Sequence, residues 1–387
     1  MSSLHSWQDG PKTKRVLAVG MVDSVHFARW LEGLSALDLD IHIFPSGPHR
    51  SIHPRIKSLR ATKGGKFRLG ALMQVCSLPI WILDRFAGSR LRAFTLLAAL
   101  QAQDYDIVHF HEMQSGGYPL SLVPKRVLKK SKIFYTPYGS DLFWFKQFPR
   151  HQKRIKRTLG IVDYLFPECD RDAVLALEAG FVGEVGPRMA AAGALEFPKM
   201  APSESAPRDK ITVKGYGGTW GRAIEALHSL EKVQEKLLGF EVHVVSATKD
   251  VQKEISRLKK TSLLNIVTHP KFSLSSSEVR DLLLQSKYYI ALSTSDGFPS
   301  LLMEAALSGA VPFQSDTACL PDSLLKINPD SFLAKERWGQ VGAAVAALES
   351  DPTTTDLLST KFCDWAASNQ LSRADFGDIM SKAYGLK

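Results

Sequence analysis

The sequence contains few cysteines and no cluster of metal-binding residue types. Its four cysteines, Cys76, Cys169, Cys319 and Cys363, lie far apart, and no CxxC pair or Cys/His group occurs. This distribution favours a reducing compartment and argues against both a disulfide framework and structural zinc. Apolar residues make up 44% of the chain, which is ample material for sizeable hydrophobic cores.

Long hydrophobic segments are also missing. The longest apolar run, ALMQVCSLPIWIL at residues 71–83, has 13 residues, whereas a membrane-spanning helix needs about 20. The polar N-terminus, MSSLHSWQDGPKTK, lacks the apolar core of a signal peptide. These absences predict a cytoplasmic protein whose membrane contact, if it has one, is confined to its surface.

Acidic residues are absent between Asp40 and Asp84, and the whole chain has a formal net charge of +10. Within that interval lie the cations Arg50, Arg55, Lys57, Arg60, Lys63, Lys66 and Arg68. A second run, FWFKQFPRHQKRIKR at residues 143–157, mixes aromatic residues with six cations. Such runs suit peripheral contact with an anionic membrane, here the inner face of the cell membrane. The alternative is solvated surface, and no nucleic-acid-binding motif accompanies the charge.

With 387 residues, the chain is too long for one core, so we expect two domains. Strand-like apolar runs alternate with helical segments of about ten residues, which predicts βαβ units and parallel sheets. The alternation resumes after a linker-like stretch, APSESAPRD at residues 201–209. The predicted fold class is α/β, with two Rossmann-like, doubly wound parallel-sheet domains that face each other across a cleft.

One apolar segment carries two acids. In STSDGFPSLLMEAALSGAVPFQSD, residues 293–316, a strand ends near Thr294, a loop contains Asp296, and a helix is predicted to begin at Pro299. Glu304 lies in that helix without a polar face around it, so it needs a buried partner. In a parallel sheet this loop would lie where ligands bind, and Glu304 could accept hydrogen bonds from two vicinal hydroxyls of a ribose or hexose. A loop role for Asp296 and a solvated Glu304 are the alternatives.

This segment resembles the C-terminal signature of retaining GT-B-fold glycosyltransferases of the family-4 type (glycosyl transferases group 1). That signature has two glutamates with seven residues between them; here the spacing is kept, but the first acid is Asp296. The resemblance implies that Glu304 binds the ribose and that Asp296 binds the transferred sugar. It also implies that the backbone of Gly297, Phe298, Pro299 and Ser300 lies beside the sugar and diphosphate.

A second element, ITVKGYGGTWGRAIEAL at residues 211–227, reads as a strand, a Gly-rich turn and a helix, a possible phosphate cradle. Lys214 ends the strand and Arg222 begins the helix. The family uses an Arg and a Lys here on the diphosphate; in this chain their order is exchanged, so the assignment of Lys214, Arg222, Gly217 and Gly218 is by role. A solvated Lys and a surface Arg are the alternative.

No metal or other cofactor is expected. Two DxD matches, Asp38–Asp40 and Asp104–Asp106, precede predicted strands, whereas metal-binding acids should follow them. We interpret both as turns.

In the N-terminal half, DIVHFHEMQSGGY at residues 106–118 puts His109 and His111 on one face of a strand end. The resemblance implies that His111 lies near the donor sugar and acceptor, and that Asp141, in TPYGSD, lies beside the cleft. Gly20 stands in the first strand–helix turn, where the family often has a glycine-rich loop. Structural roles are the alternatives for both histidines.

The sequence thus predicts an enzyme, a metal-independent, hexosyltransferase-like glycosyltransferase. Its partners would be a nucleotide-sugar donor and a glycan or lipid-linked acceptor of polysaccharide synthesis, with no nucleic acid. The predicted domains are residues 1–200 on the acceptor side, 201–365 for the nucleotide sugar, and a C-terminal helix, 366–387, that crosses back. The alternatives are a weakly active or inactive sugar-nucleotide- or membrane-binding protein, and an epimerase or hydrolase on the same fold.

Overall fold

The structure is a computed structural model that describes residues 13–47, 51–61, 67–69, 82–84, 86–195 and 208–386. The chain divides into two compact units. The first comprises Met1–Pro167, Ala173–Ala194 and Arg373–Lys387, and the second Glu168–Asp172 and Leu195–Ser372. Most of the predicted linker, residues 201–207, lies outside the described residues.

The first unit contains a seven-stranded parallel sheet in the order β3-β2-β1-β4-β5-β6-β7. The central strands β1 and β4 are buried over most of their length, as is typical of parallel strands with both faces covered, whereas both residues of β7 at the edge are exposed. The strands are β1 Lys14–Gly20, β2 Leu39–Pro45, β3 Phe67–Leu69, β4 Ile107–His111, β5 Lys132–Thr136, β6 Tyr164–Leu165 and β7 Glu184–Val185.

The second unit contains a six-stranded parallel sheet in the order β10-β9-β8-β11-β12-β13. Its strands are β8 Lys210–Lys214, β9 Glu241–Ala247, β10 Asn265–Pro270, β11 Ser286–Ala291, β12 Val311–Ser315 and β13 Phe332–Leu333.

Both sheets have the strand order of a doubly wound Rossmann-like fold, so the predicted α/β class is confirmed. The order reverses between β1 and β4 in the first sheet and between β8 and β11 in the second. In open α/β sheets, ligands bind beyond the carboxyl ends of the strands at such a reversal. We therefore expect the site residues at the carboxyl ends of β1 and β4 in the first sheet and of β8 and β11 in the second.

Helices cover the faces of both sheets. Helices of eight residues or more among the described residues are Val25–Gly33, Pro54–Ala61, Arg90–Ala102, Pro149–Leu159, Asp170–Glu178, Ala223–Glu231, Lys249–Thr261, Ser276–Leu284, Ser300–Leu307, Val341–Glu349, Pro352–Asn369 and Arg373–Tyr384.

Residues 118–130 are helical only in part. They form only two short helices, Tyr118–Leu120 and Lys125–Leu128. Pro124 lies between them with an extended ψ of 130°, because a proline ring cannot continue a helix that precedes it.

The C-terminal helix Arg373–Tyr384 packs within the first unit. Its Phe376 ring is fully buried and lies directly against the backbones of Gly33 and Gly193, where any added Cβ would overlap the ring. Gly193 also has a φ of +70°, which favours glycine. The two glycines thus make the surface that receives this helix.

The basic run at 143–157 forms the helix Pro149–Leu159, whose buried face consists of Ile155, Thr158 and Leu159. The residues Arg150, Lys153, Lys156 and Arg157 are exposed on its other side. The apolar run at 71–83 lies outside the described residues except for Ile82 and Leu83. Within the described parts of the chain, no helix is long and apolar enough to cross a membrane.

Candidate active site

In the second unit, two predicted site residues form an ion pair. The Lys214 Nζ, at the carboxyl end of β8, donates to Asp296 Oδ2 at 2.5 Å. Because β8 and β11 are neighbours, the loop after β11 returns to the end of β8. Burial disfavours the charged ammonium, but the attraction of Asp296 and Tyr216 outweighs it and raises the pKa of Lys214. Lys214 is therefore a cation at the strand-order reversal.

The loop that carries Asp296, here called loop 293–299, is hydrogen-bonded to the Gly-rich turn that follows β8. Thr294 N–H donates to Trp220 O at 2.9 Å, and Arg222 N–H donates to Leu292 O at 2.9 Å. Gly221 and Ser293 form an isolated antiparallel bridge. The two segments that the sequence singled out separately are thus one connected structure.

Glu304 lies on the helix Ser300–Leu307 and is only 8% exposed. Together with Asp296 it acts on Tyr289 of β11, a residue that the sequence did not single out. Burial, followed by the negative charge of Asp296, Tyr216 and Glu304, raises the pKa of Tyr289 far above its usual value. Two acids and a buried phenol therefore share the region next to Lys214.

The first turn of that helix holds Ser300, which is buried and whose hydroxyl has no hydrogen-bond partner within the described residues. The preceding Pro299 is the N-cap residue and makes no side-chain capping bond. An unpaired buried hydroxyl at a helix N-terminus is suited to an anionic ligand.

The Gly-rich turn is less open than the sequence suggested. Gly217 N–H donates to Thr248 Oγ1 at 3.0 Å and Gly218 N–H donates to Asp250 Oδ2 at 2.9 Å. A Cβ at Gly217 would overlap the Asp250 carboxylate. Both predicted phosphate-binding amides are therefore bonded within the protein, to Thr248 and Asp250. These two residues lie at the start of the helix Lys249–Thr261, in a Thr-Lys-Asp sequence of the kind found at helix N-termini.

Arg222 turns back onto its own segment. Its Nη1 donates to Gly218 O at 2.8 Å and to Gly221 O at 3.1 Å, and its Nε lies 3.4 Å from Glu225 Oε1. The structure thus brings Lys214 to Asp296 but holds the Arg222 guanidinium on the turn.

The cysteine spacing argued against a disulfide framework, but one pair of cysteines does form a disulfide. Cys169 and Cys319 form a disulfide across a sequence separation of 150 residues, with their Cα atoms 5.6 Å apart. The pairing could not be predicted from sequence separation, because the segment Glu168–Asp172 belongs to the second unit although the residues on both sides of it belong to the first.

The disulfide lies beside loop 293–299. Cys319 N–H donates to Gly297 O at 3.2 Å, and Arg171 Nη2 donates to Asp296 O at 3.1 Å. The Glu168 carboxylate lies so close to Gly297 that a Cβ there would overlap it. Four residues that sequence analysis missed, Glu168, Cys169, Arg171 and Cys319, therefore surround this loop.

Metal-ligand types meet at one place among the described residues. The ligand atoms of Cys169, Asp172 and Cys319 lie within 4.8 Å of one another. Burial raises the pKa of Asp172 to about 6, against the opposing charge of Arg171. The two DxD matches lie at strand beginnings, where Asp40 pairs with Arg15 and Asp104 pairs with Lys130.

In the first unit, His111 ends β4 and is fully buried. Its two ring nitrogens have no hydrogen-bond partner in the described structure, and its ring lies 5.1 Å from that of Phe27 and 4.3 Å from that of Trp30. Burial, then the charge of His26, lowers the pKa of His111 to about 3. The imidazole is therefore neutral at physiological pH.

His109 and Asp141 have structural partners. His109 Nδ1 lies 2.8 Å from the Tyr384 hydroxyl and Nε2 lies 2.8 Å from the Thr136 hydroxyl. Asp141 accepts from the Met113 and Tyr138 amides at 2.9 and 2.8 Å. Burial, then the charge of Glu112, raises the pKa of Asp141 far above its usual value.

Gly20 ends β1, where a Cβ would overlap the Phe27 ring. The absence of a side chain at Gly20 therefore lets the Phe27 ring of the first helix pack closely against the end of β1.

Comparisons with known proteins agree with the fold described above. Residues 15–168 match the family described as Glycosyl transferase 4-like. Solved structures share the fold of both units. The chain has the GT-B fold, and part of its first unit resembles a glycosyltransferase family. The predicted resemblance and fold class are confirmed, and the family match supports the predicted enzyme class.

Two solved structures match this chain over nearly its full length. A UDP-forming alpha,alpha-trehalose-phosphate synthase from Burkholderia vietnamiensis is 12% identical with a TM-score of 0.69, covering 97% of this chain and 98% of the other. Anabaena HepE, solved with UDP and glucose, is 10% identical with a TM-score of 0.64, covering 97% and 100%.

Other similar structures are longer. The pneumococcal O-GlcNAc transferase GtfA, solved with UDP and GlcNAc, is 13% identical with a TM-score of 0.56, covering 75% of this chain and 59% of that chain. The chain spans about three fifths of the GtfA and TarM chains that it matches (58–60%). Among curated proteins, none matches it.

Proposed function

We propose that this protein is a glycosyltransferase that moves a sugar from a nucleotide-diphosphate-sugar donor to a glycan or lipid-linked acceptor of polysaccharide synthesis, without a metal and with retention of configuration. The observation that carries the proposal is the Lys214–Asp296 pair at the strand-order reversal, with buried Glu304 in the helix that follows Asp296. A cation for a diphosphate and two carboxylates for sugar hydroxyls are the groups that such a donor requires.

Lys214 is the proposed diphosphate ligand. Transfer of the sugar leaves a nucleoside diphosphate whose growing negative charge must be neutralised by a cation placed in advance. The raised pKa of Lys214 keeps it charged in its buried setting. Arg222 assists only if its guanidinium leaves the carbonyls of the turn, and Gly217 and Gly218 serve close approach rather than amide donation, since their N–H groups are bonded to Thr248 and Asp250.

Two carboxylates are assigned to the donor's hydroxyls. Glu304 binds the ribose and Asp296 the transferred sugar, with the backbone of Gly297, Phe298 and Pro299 beside the diphosphate. The unpartnered hydroxyl of Ser300 supports this, because it is buried in the first turn of a helix.

His111 is proposed to act beside the reacting sugar. With a pKa of about 3 it is neutral, so it can donate one hydrogen bond and accept another without bringing charge. The acceptor side of the first unit would include Gly20, while His109 and Asp141 hold the strand ends that position His111.

Nucleotide binding by the intact protein tests the donor site. We expect calorimetric titration to detect UDP, GDP or ADP, with UDP first because UDP is bound in the structures of GtfA and HepE. Lys214→Met and Glu304→Gln should each weaken binding about 10- to 100-fold, since each removes a hydrogen bond to a charged group.

One matched control lies on the same strand as Lys214, and the other lies on a different helix from Glu304. Lys210→Met changes the opposite end of β8, where Lys210 bonds Gln285, and Glu349→Gln changes a carboxylate that bonds Lys287 at the start of β11. Neither should alter nucleotide affinity. If no nucleotide binds, or if Lys214→Met and Glu304→Gln leave the affinity unchanged, the donor-site assignment is wrong.

Product analysis tests the reaction itself. With UDP-sugar and a glycan acceptor, transfer should continue in EDTA and release UDP together with an α-configured product from an α-linked donor. Sugar release without acceptor would instead identify a hydrolase, and an isomerised nucleotide sugar would identify an epimerase.

Exposed aromatic residues near a cationic helix of the first unit support the proposal of a lipid-linked acceptor at the inner face of the cell membrane. Phe86 and Phe94 are 87% and 71% exposed. Arg154 of the cationic helix Pro149–Leu159 donates to Ser89 Oγ at 2.6 Å, which joins the turn of Phe86 to that helix. Apolar side chains beside cations suit an anionic bilayer.

Sedimentation with vesicles tests this contact. The protein should bind vesicles containing phosphatidylglycerol and bind neutral phosphatidylcholine vesicles less. Phe86→Ser with Phe94→Ser should reduce binding at least several-fold, whereas Phe272→Ser, an exposed aromatic of the second unit, should not. Equal binding of all variants, or no binding, contradicts the proposal.

A further inference from the structure

The segment Glu168–Asp172 is joined by a disulfide to Cys319, which is hydrogen-bonded to loop 293–299, and Arg171 of the segment also bonds that loop directly. The residue of the segment that forms the disulfide is Cys169. Arg171 adds three contacts: Nη1 to Thr317 O at 2.6 Å, Nη2 to Asp296 O at 3.1 Å and Nη2 to Cys319 Sγ at 3.1 Å. The chain on both sides of this segment belongs to the other unit, whereas the segment itself belongs to the second unit.

We propose that the Cys169–Cys319 pair is a thiol-exchange site whose oxidised form holds loop 293–299 in the geometry that binds the transferred sugar. This inference rests on the proposed donor site. The link between the two is direct, because Cys319 N–H bonds Gly297 O and Arg171 bonds both Asp296 O and the Cys319 sulfur. Opening the disulfide removes the covalent link between the segment Glu168–Asp172 and Cys319. Only hydrogen bonds then connect that segment with Cys319 and loop 293–299.

The surroundings of the two sulfur atoms differ, and they set the direction of exchange. Cys319 is 1% exposed and its sulfur accepts from the Arg171 guanidinium, whereas Cys169 is 7% exposed. A nearby guanidinium stabilises a thiolate, and the thiol with the stabilised thiolate is the better leaving group. Cys169 is therefore the sulfur that is attacked, and Cys319 is the sulfur that leaves.

The exchange balances with a low-molecular-weight dithiol or with two molecules of a monothiol. A thiolate of the reductant attacks Cys169 Sγ, the bond to Cys319 breaks, and Cys319 leaves as a thiolate beside Arg171. A second reductant thiolate attacks the reductant sulfur of the mixed disulfide and releases the Cys169 thiolate, which takes up a proton. Two reductant thiols become one disulfide while the protein disulfide becomes two thiols.

The first measurement is the redox state itself, which needs no ligand. Alkylation under denaturing conditions should label two more cysteines after dithiothreitol than before. Cys169→Ser and Cys319→Ser should abolish that increase, and Cys363→Ser, a buried cysteine outside the disulfide, should keep it. An unchanged label count, or stoichiometric zinc on Cys169, Asp172 and Cys319 in the purified protein, overturns the proposal.

The second measurement is the response of the loop. Hydrogen exchange of peptides covering residues 293–300 should speed up on reduction of the wild type, and the two serine variants should resemble the reduced protein under all conditions. UDP-glucose and UDP-GlcNAc should bind at least several-fold more weakly after reduction, with a smaller change for UDP. If neither the hydrogen-exchange rate of the loop nor the affinity for UDP-sugars changes on reduction, the proposal is wrong.

The two proposals fail in different ways. In one case no nucleotide binds in either redox state, while the label count and the hydrogen exchange of the loop respond to dithiothreitol. The donor assignment is then wrong, and the thiol-exchange site stands as a switch that controls the loop. If nucleotides bind and Lys214→Met weakens them, but reduction changes nothing, then the donor site stands and the thiol-exchange site is wrong.

Discussion

Lys214 and Asp296 are 82 residues apart in the chain and meet with 2.5 Å between Nζ and Oδ2. One is the proposed diphosphate ligand and the other the proposed sugar ligand, so in this structure each neutralises the other. On this assignment, the phosphate and hydroxyl groups of a donor would compete for the two members of the pair. The pair therefore keeps the site electrically balanced before the donor arrives.

Changes at Asp296 should separate nucleotide binding from sugar transfer. Asp296→Asn should lower kcat/KM for a UDP-sugar about 100-fold, because the sugar loses a charged acceptor that holds it in place. UDP affinity should change little. Asp296→Glu, which installs the acid typical of the resembling family, should retain transfer to within about tenfold of wild type. Steady-state kinetics with calorimetry of UDP measures both, and equal losses for Asn and Glu would argue against a charge-dependent role.

Gly297→Ala should damage the same loop without touching a charge. An added Cβ would overlap the Glu168 carboxylate, and such overpacking costs about 1–3 kcal/mol. The loop should shift, and UDP-sugar affinity should fall with it. Gly239→Ala is the matched control, since a Cβ there meets nothing within 4 Å. Unfolding in urea and calorimetry compare the variants, and identical behaviour of the two would show that Glu168 yields easily.

His111 should make the first unit less stable in acid. Its pKa is about 3 in the folded state and 6.5 in the reference state, so between these values the unfolded chain binds the extra proton. Stability is then lost as the pH falls through this window. His111→Leu should reduce the slope of unfolding free energy against pH by about 1.4 kcal/mol per unit between pH 4 and 6.

Pulsed hydrogen exchange of β1 and β4 peptides across a urea series reports the stability of this unit alone. An unchanged slope in His111→Leu would mean that His111 takes up a proton in the folded state.

Phe376 should anchor the C-terminal helix Arg373–Tyr384 in the first unit. The ring is fully buried against Gly33 and Gly193, and truncation of a buried Phe to Ala costs about 3–5 kcal/mol. Phe376→Ala should therefore lower the protection of β1 peptides in urea. Leu357→Ala, an exposed leucine on the helix Pro352–Asn369, should change it by less than about 0.5 kcal/mol. Equal protection in the two variants would show that the helix does not depend on this ring.

Sequence patterns were sufficient for most of the elements that position the site. Short apolar runs predicted β1, β4, β8 and β11 to within a few residues, because a parallel strand covered on both faces must be apolar throughout. A glycine after the helix Ser300–Leu307 was also predictable, since Gly309 has a φ of +79°. Pro124 predicted the break in segment 118–130 but not its extent.

Several contacts that define the site could not be predicted in this way. Thr248 and Asp250 occupy the amides of Gly217 and Gly218, and Arg222 bonds the carbonyls of its own turn. These bonds depend on the orientation of one side chain relative to a neighbouring loop. A pattern of residue types does not contain that orientation.

The sequence by itself determined which residues lie at strand ends: Lys214 after β8, Asp296 after β11 and His111 at the end of β4. Only the tertiary structure decided which of them meet. The order β10-β9-β8-β11-β12-β13 makes β8 and β11 neighbours and so joins Lys214 to Asp296. The assignment of Glu168–Asp172 to the second unit likewise brings Cys169 to Cys319. Local propensity fixes where strands begin and end, whereas the pairing of strands that are distant in the chain depends on the packing of the whole core.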